Sequence, residues 1–328
     1  MSSEATRAAT VDAFARRHRF RAIEAAPWLL ALAVYVVFPR YLPLGAQILA
    51  TILFVLSADL VLGYAGIVTL GHAAFFGTGA YTAGLLAANG WGEPLSGLIA
   101  AALTAALVGF LSGLIILRAT GLALLMQTLV VATTLYEAAN KLGRWTGGDD
   151  GLSGMVVWPI FGMFRFDLFG RTAYTYCLVV LFLGWLLARQ IAHSPFGRSL
   201  TGARENTSRM HAIGAPVARR RLIIYTISAA LAGVAGALIA QTTSFVGLTS
   251  LSLERSGNAL IMLIIGGVGR LYGAFIGVPL FMVAQDRFSK IDPVYWYFWL
   301  GLLMISVVVF ARGGVLGLFE RLWGLRRR

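Results

Sequence analysis

Charged side chains are scarce in this chain: Asp, Glu, Lys and Arg make up 12% of 328 residues, about half of what a soluble domain carries. Hydrophobic residues fill 58%, and the mean hydropathy is +0.78, so too little polar surface exists to wrap a water-facing globule. Cysteine is nearly absent: Cys177 is alone, cannot form an internal disulfide, and sits in the apolar stretch Tyr174 to Leu187 as a packing thiol. These scarcities exclude a disulfide scaffold, a disordered chain and a zinc protein built on cysteines. Lysine is rarer than arginine, and Lys141 and Lys290 follow Asn140 and Ser289. A P-loop needs glycine before its lysine so that backbone N–H groups can cradle phosphate, so no ATP hydrolysis and no bound cofactor are expected of this chain. His18, His72, His193 and His211 are scattered without a His-Glu-x-x-His pair, and no Gly-x-Ser-x-Gly elbow occurs. With enzymes disfavoured, a passage, a scaffold or a receptor remains.

What is abundant is apolar length. Runs near 22–38, 44–62, 67–88, 95–117, 121–140, 174–192, 222–241, 256–267, 273–288 and 295–311 suit helices of the roughly 20 residues needed to cross a bilayer. The expected fold is therefore all-α: a polytopic integral membrane bundle of about ten segments, some broken or re-entrant. The run at 256–267 is short enough to be a half-helix. The net charge of +13 tests this list. With both termini in the cytoplasm, the inner side gathers Arg7, Arg16, Arg17, Arg19, Arg21, Arg118, the cluster from Arg189 to Arg221, Arg270 and the tail from Arg312. Only Arg40, Lys141, Arg144, Arg165, Arg171, Arg255, Arg287 and Lys290 fall outside. That asymmetry follows the positive-inside rule and explains the charge without nucleic acid. The basic stretch Arg16 to Arg21 before an apolar run has the look of a signal peptide, but Pro39 and Arg40 lead at once into another apolar run, so the first span reads as uncleaved. The division expected is a basic N-terminal segment at 1–26, a transmembrane body at 27–318 and a basic tail at 319–328.

Polar residues inside such runs are costly and usually face a bundle interior or a water-filled path. Asp59, His72 and Glu137 qualify, against the plainer alternatives of a helix-to-helix bond for Asp59, a structural role for His72 and an interfacial position for Glu137. Glycines cluster twice, at Gly63, Gly66, Gly71, Gly77, Gly79 and Gly84 and again at Gly266, Gly267, Gly269, Gly273 and Gly277. Such runs either let helices approach closely or break a helix at a solute site. A path past Asp59, Gly71, His72, Gly77, Gly79 and Glu137, with the dipole of a half-helix near Gly71 to Gly79 meeting a solute carboxylate, is the expectation under the second reading.

The longest polar insert, residues 193–221, holds Phe196, Leu200 and Ala203 at helical spacing after Pro195, with Arg198 and Glu205 away from that face. Two turns of helix are unstable alone, so this segment needs a surface to lie on. From Ser194 to Gly214 and on through Ile227 to Leu238, the sequence resembles the cytoplasmic loop and following helix of LivM-type permeases of branched-chain amino acid ABC importers. Gly63 to Gly66 with Leu70 to Tyr81, Thr146 to Leu152, Gly266 to Gly273 and Arg312 to Leu318 are similar to the same family in order. Two stretches depart from it: Arg118 to Ala123, where the family usually has Arg-Gly-x-Tyr, and the outer loop Phe161 to Arg171.

The resemblance implies a subunit of the bacterial inner membrane rather than a complete machine. Its partners would be a second related permease, two cytoplasmic ATPase subunits that use the ATP, an extracytoplasmic solute-binding protein and membrane lipid. It also implies that Gly197, Arg198, Ala203, Arg204, Glu205 and Gly214 lie in the ATPase-coupling region, with Arg198 and Arg204 bonding the ATPase cleft. Urea and amide importers have similar permeases. A secondary transporter driven by protons through Asp59, Glu137 or His72, and a lipid-binding scaffold, are the rivals from other classes.

Overall fold

The computed structural model describes residues 22–167 and 169–310, together with Gly314, Val315 and Gly317. Among them regular structure is helical, with only the isolated bridges Leu152 to Val246 and Ile160 to Phe164 in extended pairing. The basic residues Arg7 to Arg21, the tail 319–328 and most of the Arg312 to Leu318 motif lie outside the described residues.

Twelve helices organise the described chain: α1 (Ala26–Val37), α2 (Leu42–Asp59), α3 (His72–Ala88), α4 (Pro94–Ile116), α5 (Leu122–Lys141), α6 (Arg171–His193), α7 (Pro195–Glu205), α8 (Thr207–Ala212), α9 (Val217–Thr243), α10 (Leu253–Gly266), α11 (Gly273–Ile291) and α12 (Trp296–Phe310). A helix thus occupies each of the ten apolar runs. By length and composition, five stretches could cross a membrane: Pro39–Tyr64, Pro94–Ile116, Leu122–Lys141, Arg171–His193 and Val217–Thr243. Local chemistry sets the starts. Proline occupies the first turn of α1, α2, α4 and α7, where its missing N–H costs nothing. Glu93, Ser194, Asn206 and Ser252 accept from the first-turn N–H groups of α4, α7, α8 and α10.

The expected run at 67–88 becomes helical only at His72. Gly66 takes φ +69°, and Ala65 to Gly71 run as irregular backbone with Ala65, Ile67 and Thr69 buried. Ahead of it, α2 loosens into a π-turn at Leu60–Tyr64, a form that recurs at functional sites. A second irregular stretch separates α10 from α11, with Gly267 and Gly269 at positive φ. Both breaks occupy the same end of the bundle as α7.

The centre is built on small residues. A Cβ on Gly79 would lie 2.2 Å from the Gly233 carbonyl oxygen, one on Gly236 would lie 1.9 Å from that of Phe76, and one on Gly109 would lie 2.4 Å from the Ala229 side chain. Glycine therefore lets α3, α4 and α9 meet backbone to backbone. Around them α2 is almost wholly enclosed, whereas α5 exposes most of its surface, including Gln127, Thr133, Thr134 and Glu137.

Candidate functional site

The amphipathic reading of residues 196–203 holds. Gly197, Leu200 and Ala203 are buried, with Leu200 in the main core and Phe196 packed against it. The surface that α7 needs is its own chain, because this face lies on the ends of α6 and α9 and on the π-turn. Ser194 caps α7 by accepting from Gly197 N–H at 3.2 Å, and a Cβ on Gly197 would strike the Ile191 carbonyl at 2.3 Å. Gly197 is thus where α7 folds back on α6. Outward, α7 and α8 present Arg198, Glu205, Arg209 and His211, with the exposed Ile213 beside them. Gly214 follows at φ +75° and ends α8 in the left-handed conformation that favours glycine. Arg221 ties α9 to α8 through a 3.2 Å bond from Nη2 to the Thr207 hydroxyl.

Arg204 is exposed as well, and it also makes a contact within the chain. Nη1 donates to the Gly63 carbonyl in the π-turn of α2, and the stem lies over Gly66, where a Cβ would meet Arg204 Cγ at 2.7 Å. Next to this contact, Asp59 is 1% exposed, and its Oδ1 accepts from Gly269 N–H at 2.7 Å, while Oδ2 has no hydrogen-bond partner. A Cβ on Gly63 would fall 2.2 Å from Asp59 Oδ1 and 2.6 Å from Gly269 N. The two glycine runs of the sequence therefore converge here. One carboxylate and one guanidinium join the break after α2, the break after α10 and the helix α7.

The other sequence candidates are elsewhere. His72 is buried in the bundle, with Nε2 2.8 Å from the Ser57 hydroxyl and its ring stacked on Phe54. Ser228 donates to the Ser57 carbonyl, completing a short buried polar chain through α3, α2 and α9. At the start of α3, Gly71 N–H donates to the Thr69 hydroxyl at 3.1 Å and Ala73 N–H to that of Ser256 at 2.9 Å. These donors are already occupied. Gly71, Gly77 and Gly79 pack respectively on Thr128 of α5, on Ser250 and Leu251, and on Gly233 of α9. Glu137 is exposed on α5.

Among the described residues, two sizeable cavities between the helices are lined by none of the expected path residues. One, of about 670 Å³, is an apolar groove among α1, α2, α6 and α11. The other, of about 530 Å³, lies at the end opposite α7 and is lined by polar and apolar residues of α2, α9, α10 and α11, Arg255 included. Sequence reading had placed Arg255 only among the outer charges. Its position immediately before the short run at 256–267, in the first turn of α10, was the available signal.

A bundle of apolar helices with irregular backbone buried inside protein, a solute-sized cavity and a docked amphipathic helix defines a membrane-embedded transport permease. The model of the family described as branched-chain amino acid transport system / permease component matches residues 41–308, and the chain belongs to that family. It is similar to the high-affinity branched-chain amino acid transport system permease protein LivM of Salmonella typhimurium, 27% identical over 88% of this chain and 74% of that one. LivM of Escherichia coli K12 matches at 27% over the same shares. The autoinducer 2 import system permease protein LsrC of Enterobacter sp. is 30% identical over 70% of this chain and 66% of its own. No solved structure matches the chain significantly.

Proposed function

We propose that the chain is one permease subunit of an ABC importer for branched-chain, aliphatic amino acids in the bacterial inner membrane. Its ten apolar helices form the membrane body within residues 27–318, both termini face the cytoplasm, and residues 193–221 form the cytoplasmic coupling loop. It works beside a second related permease, two cytoplasmic ATPases and an extracytoplasmic binding protein, and binds no cofactor itself, the ATP being used by the partner subunits. Kinship with LivM supports the aliphatic solute; urea or amide permeases are the nearest alternative.

The observation that carries this reading is the linkage of α7 to the breaks after α2 and α10 through Arg204, Gly63, Asp59 and Gly269. A force applied to the outward face of α7, at Arg198 and Glu205, has a direct route into the bundle. ATP binding would draw the ATPases together, move α7, and bias the bundle between its two access states. A ligand shifts such an equilibrium only by its differential affinity for the states, so an internal site can be weak when a binding protein does the selecting.

The test is co-purification followed by uptake of labelled leucine into vesicles with and without the partner subunits. ATP-dependent uptake that needs the partners is the expected result, and Gly197→Leu or Glu205→Ala should leave insertion intact while separating hydrolysis from uptake. Uptake by the chain alone that collapses with a proton ionophore would instead assign a proton-coupled carrier acting through Asp59, Glu137 or His72.

A further inference from the structure

Arg255 stands in the first turn of α10, where its N–H donates to the capping Ser252 hydroxyl at 3.2 Å. Its guanidinium lies 4.6 Å from the ring centroid of the fully buried Phe76 and borders the 530 Å³ cavity. Among the described residues it makes no ion pair and no side-chain hydrogen bond. An arginine set among membrane helices is costly and normally has a partner; a ring face offsets only part of that cost. The adjacent Glu254 is turned to the Tyr297 hydroxyl, 3.2 Å from Oε1. The first turn of α10 adds the positive end of a helix at the same place.

The walls sort by chemistry. Gln47, Thr51 and Asn258 supply hydrogen-bonding groups to the cavity wall, and Phe54, Met262 and Phe281 supply an apolar side. The volume lies within the roughly 300–1,000 Å³ of small-molecule sites. A guanidinium without a direct ion pair, a carboxylate on the adjacent residue and an apolar wall together match a small zwitterion with a hydrocarbon tail.

We propose that Arg255 binds the carboxylate of the transported solute in this cavity, with Glu254 facing its ammonium group and Phe54, Met262 and Phe281 its aliphatic side chain. This inference rests on the permease reading and gives it a solute site on the side opposite α7.

The experiment places a reporter thiol at the cavity through Asn258→Cys in the full-length chain in proteoliposomes. The native Cys177 is fully buried and leaves the reporter as the accessible thiol. Its rate of reaction with a membrane-impermeant maleimide is read with saturating leucine, with 4-methylpentanoate, which keeps the carboxylate, and with isoamylamine, which lacks it. Leucine and 4-methylpentanoate should slow labelling by about threefold or more, a signal that occupancy above the dissociation constant produces. Isoamylamine should not, Arg255→Gln should abolish the protection, and Arg255→Lys should restore part of it. An unliganded labelling rate for each variant equal to that of the parent shows that the cavity is intact. Equal protection by isoamylamine, or protection that survives Arg255→Gln, overturns the proposal. ATP-driven uptake in the complete complex that ignores Arg255→Gln overturns it too, leaving the importer reading standing. Protection that depends on Arg255 in a chain whose uptake needs no ATP would overturn the importer reading and keep the site.

Discussion

The two ends of α2 are built on opposite plans. At its last turn Asp59 is sealed under Gly63, Gly269 and Arg204, with glycine backbones too close to admit a methyl group. Two to three turns earlier, Thr51 and Gln47 border an open cavity with polar groups on its wall. In the proposed orientation the sealed end is cytoplasmic and the open end faces the binding protein. The contrast teaches that one helix can be sealed by backbone packing at one end and border open space at the other.

The strongest way to break the contrast is to add volume at the sealed end. Gly63→Ala places a Cβ 2.2 Å from Asp59 Oδ1 and 2.6 Å from the backbone nitrogen of Gly269, and overpacking against that backbone should cost up to about 3 kcal/mol. Thermal melting of the purified chain should show a large loss, whereas Gln47→Ala at the open end should leave melting nearly unchanged. Next in size is Arg204→Ala, which removes a charge-assisted bond of about 1.5–3 kcal/mol. The chain should still insert, but leucine uptake per ATP hydrolysed in the reconstituted complex should fall about tenfold; unchanged coupling would show that the link to Gly63 carries no force.

Asp59→Asn should do less. The amide keeps an oxygen for Gly269 N–H, so a cost near 1 kcal/mol and retained uptake are expected, while Asp59→Leu should behave like Gly63→Ala. Loss of transport with unaltered melting in Asp59→Asn would turn this carboxylate from a structural clasp into a proton carrier. The smallest effect belongs to the open end. Glu93 caps α4 through a 2.6 Å bond from Ser96 N–H, and hydrogen bonding from Ser96 holds its carboxyl below the usual glutamate range. A depressed carboxyl contributes stability above its unfolded value that is lost as pH falls through its folded one. Glu93→Gln should therefore lower the melting temperature slightly at neutral pH, and the gap from the parent should close in acid.

Much of this was legible in advance where the information is local. The face made by Phe196, Leu200 and Ala203, the prolines at helix starts and the apolar runs all express periodicity or turn chemistry within a few residues. The convergence of the two glycine runs was not, because Asp59 and Gly269 are 210 positions apart and only packing brings them together. The bond from Arg204 to Gly63 was not legible either, because hydropathy says nothing of which way a long side chain bends. The close packing at Gly71, Gly77 and Gly79 was not legible in advance, because a glycine required by a neighbouring backbone and one required by a ligand have the same letter. Arg255 was read as a topological charge because its place on a cavity wall is visible only in three dimensions.

The small-residue contacts among α3, α4 and α9 have a mechanical consequence. Where Gly79 meets Gly233 and Gly236 meets Phe76, no side chains stand between the backbones to swap rotamers, so sliding one helix past another would collide main chain with main chain. These three helices should therefore travel as one block, and the change of access should be carried by hinge-like movement of the elements around them, with α7 and the glycine breaks beside it as the joints.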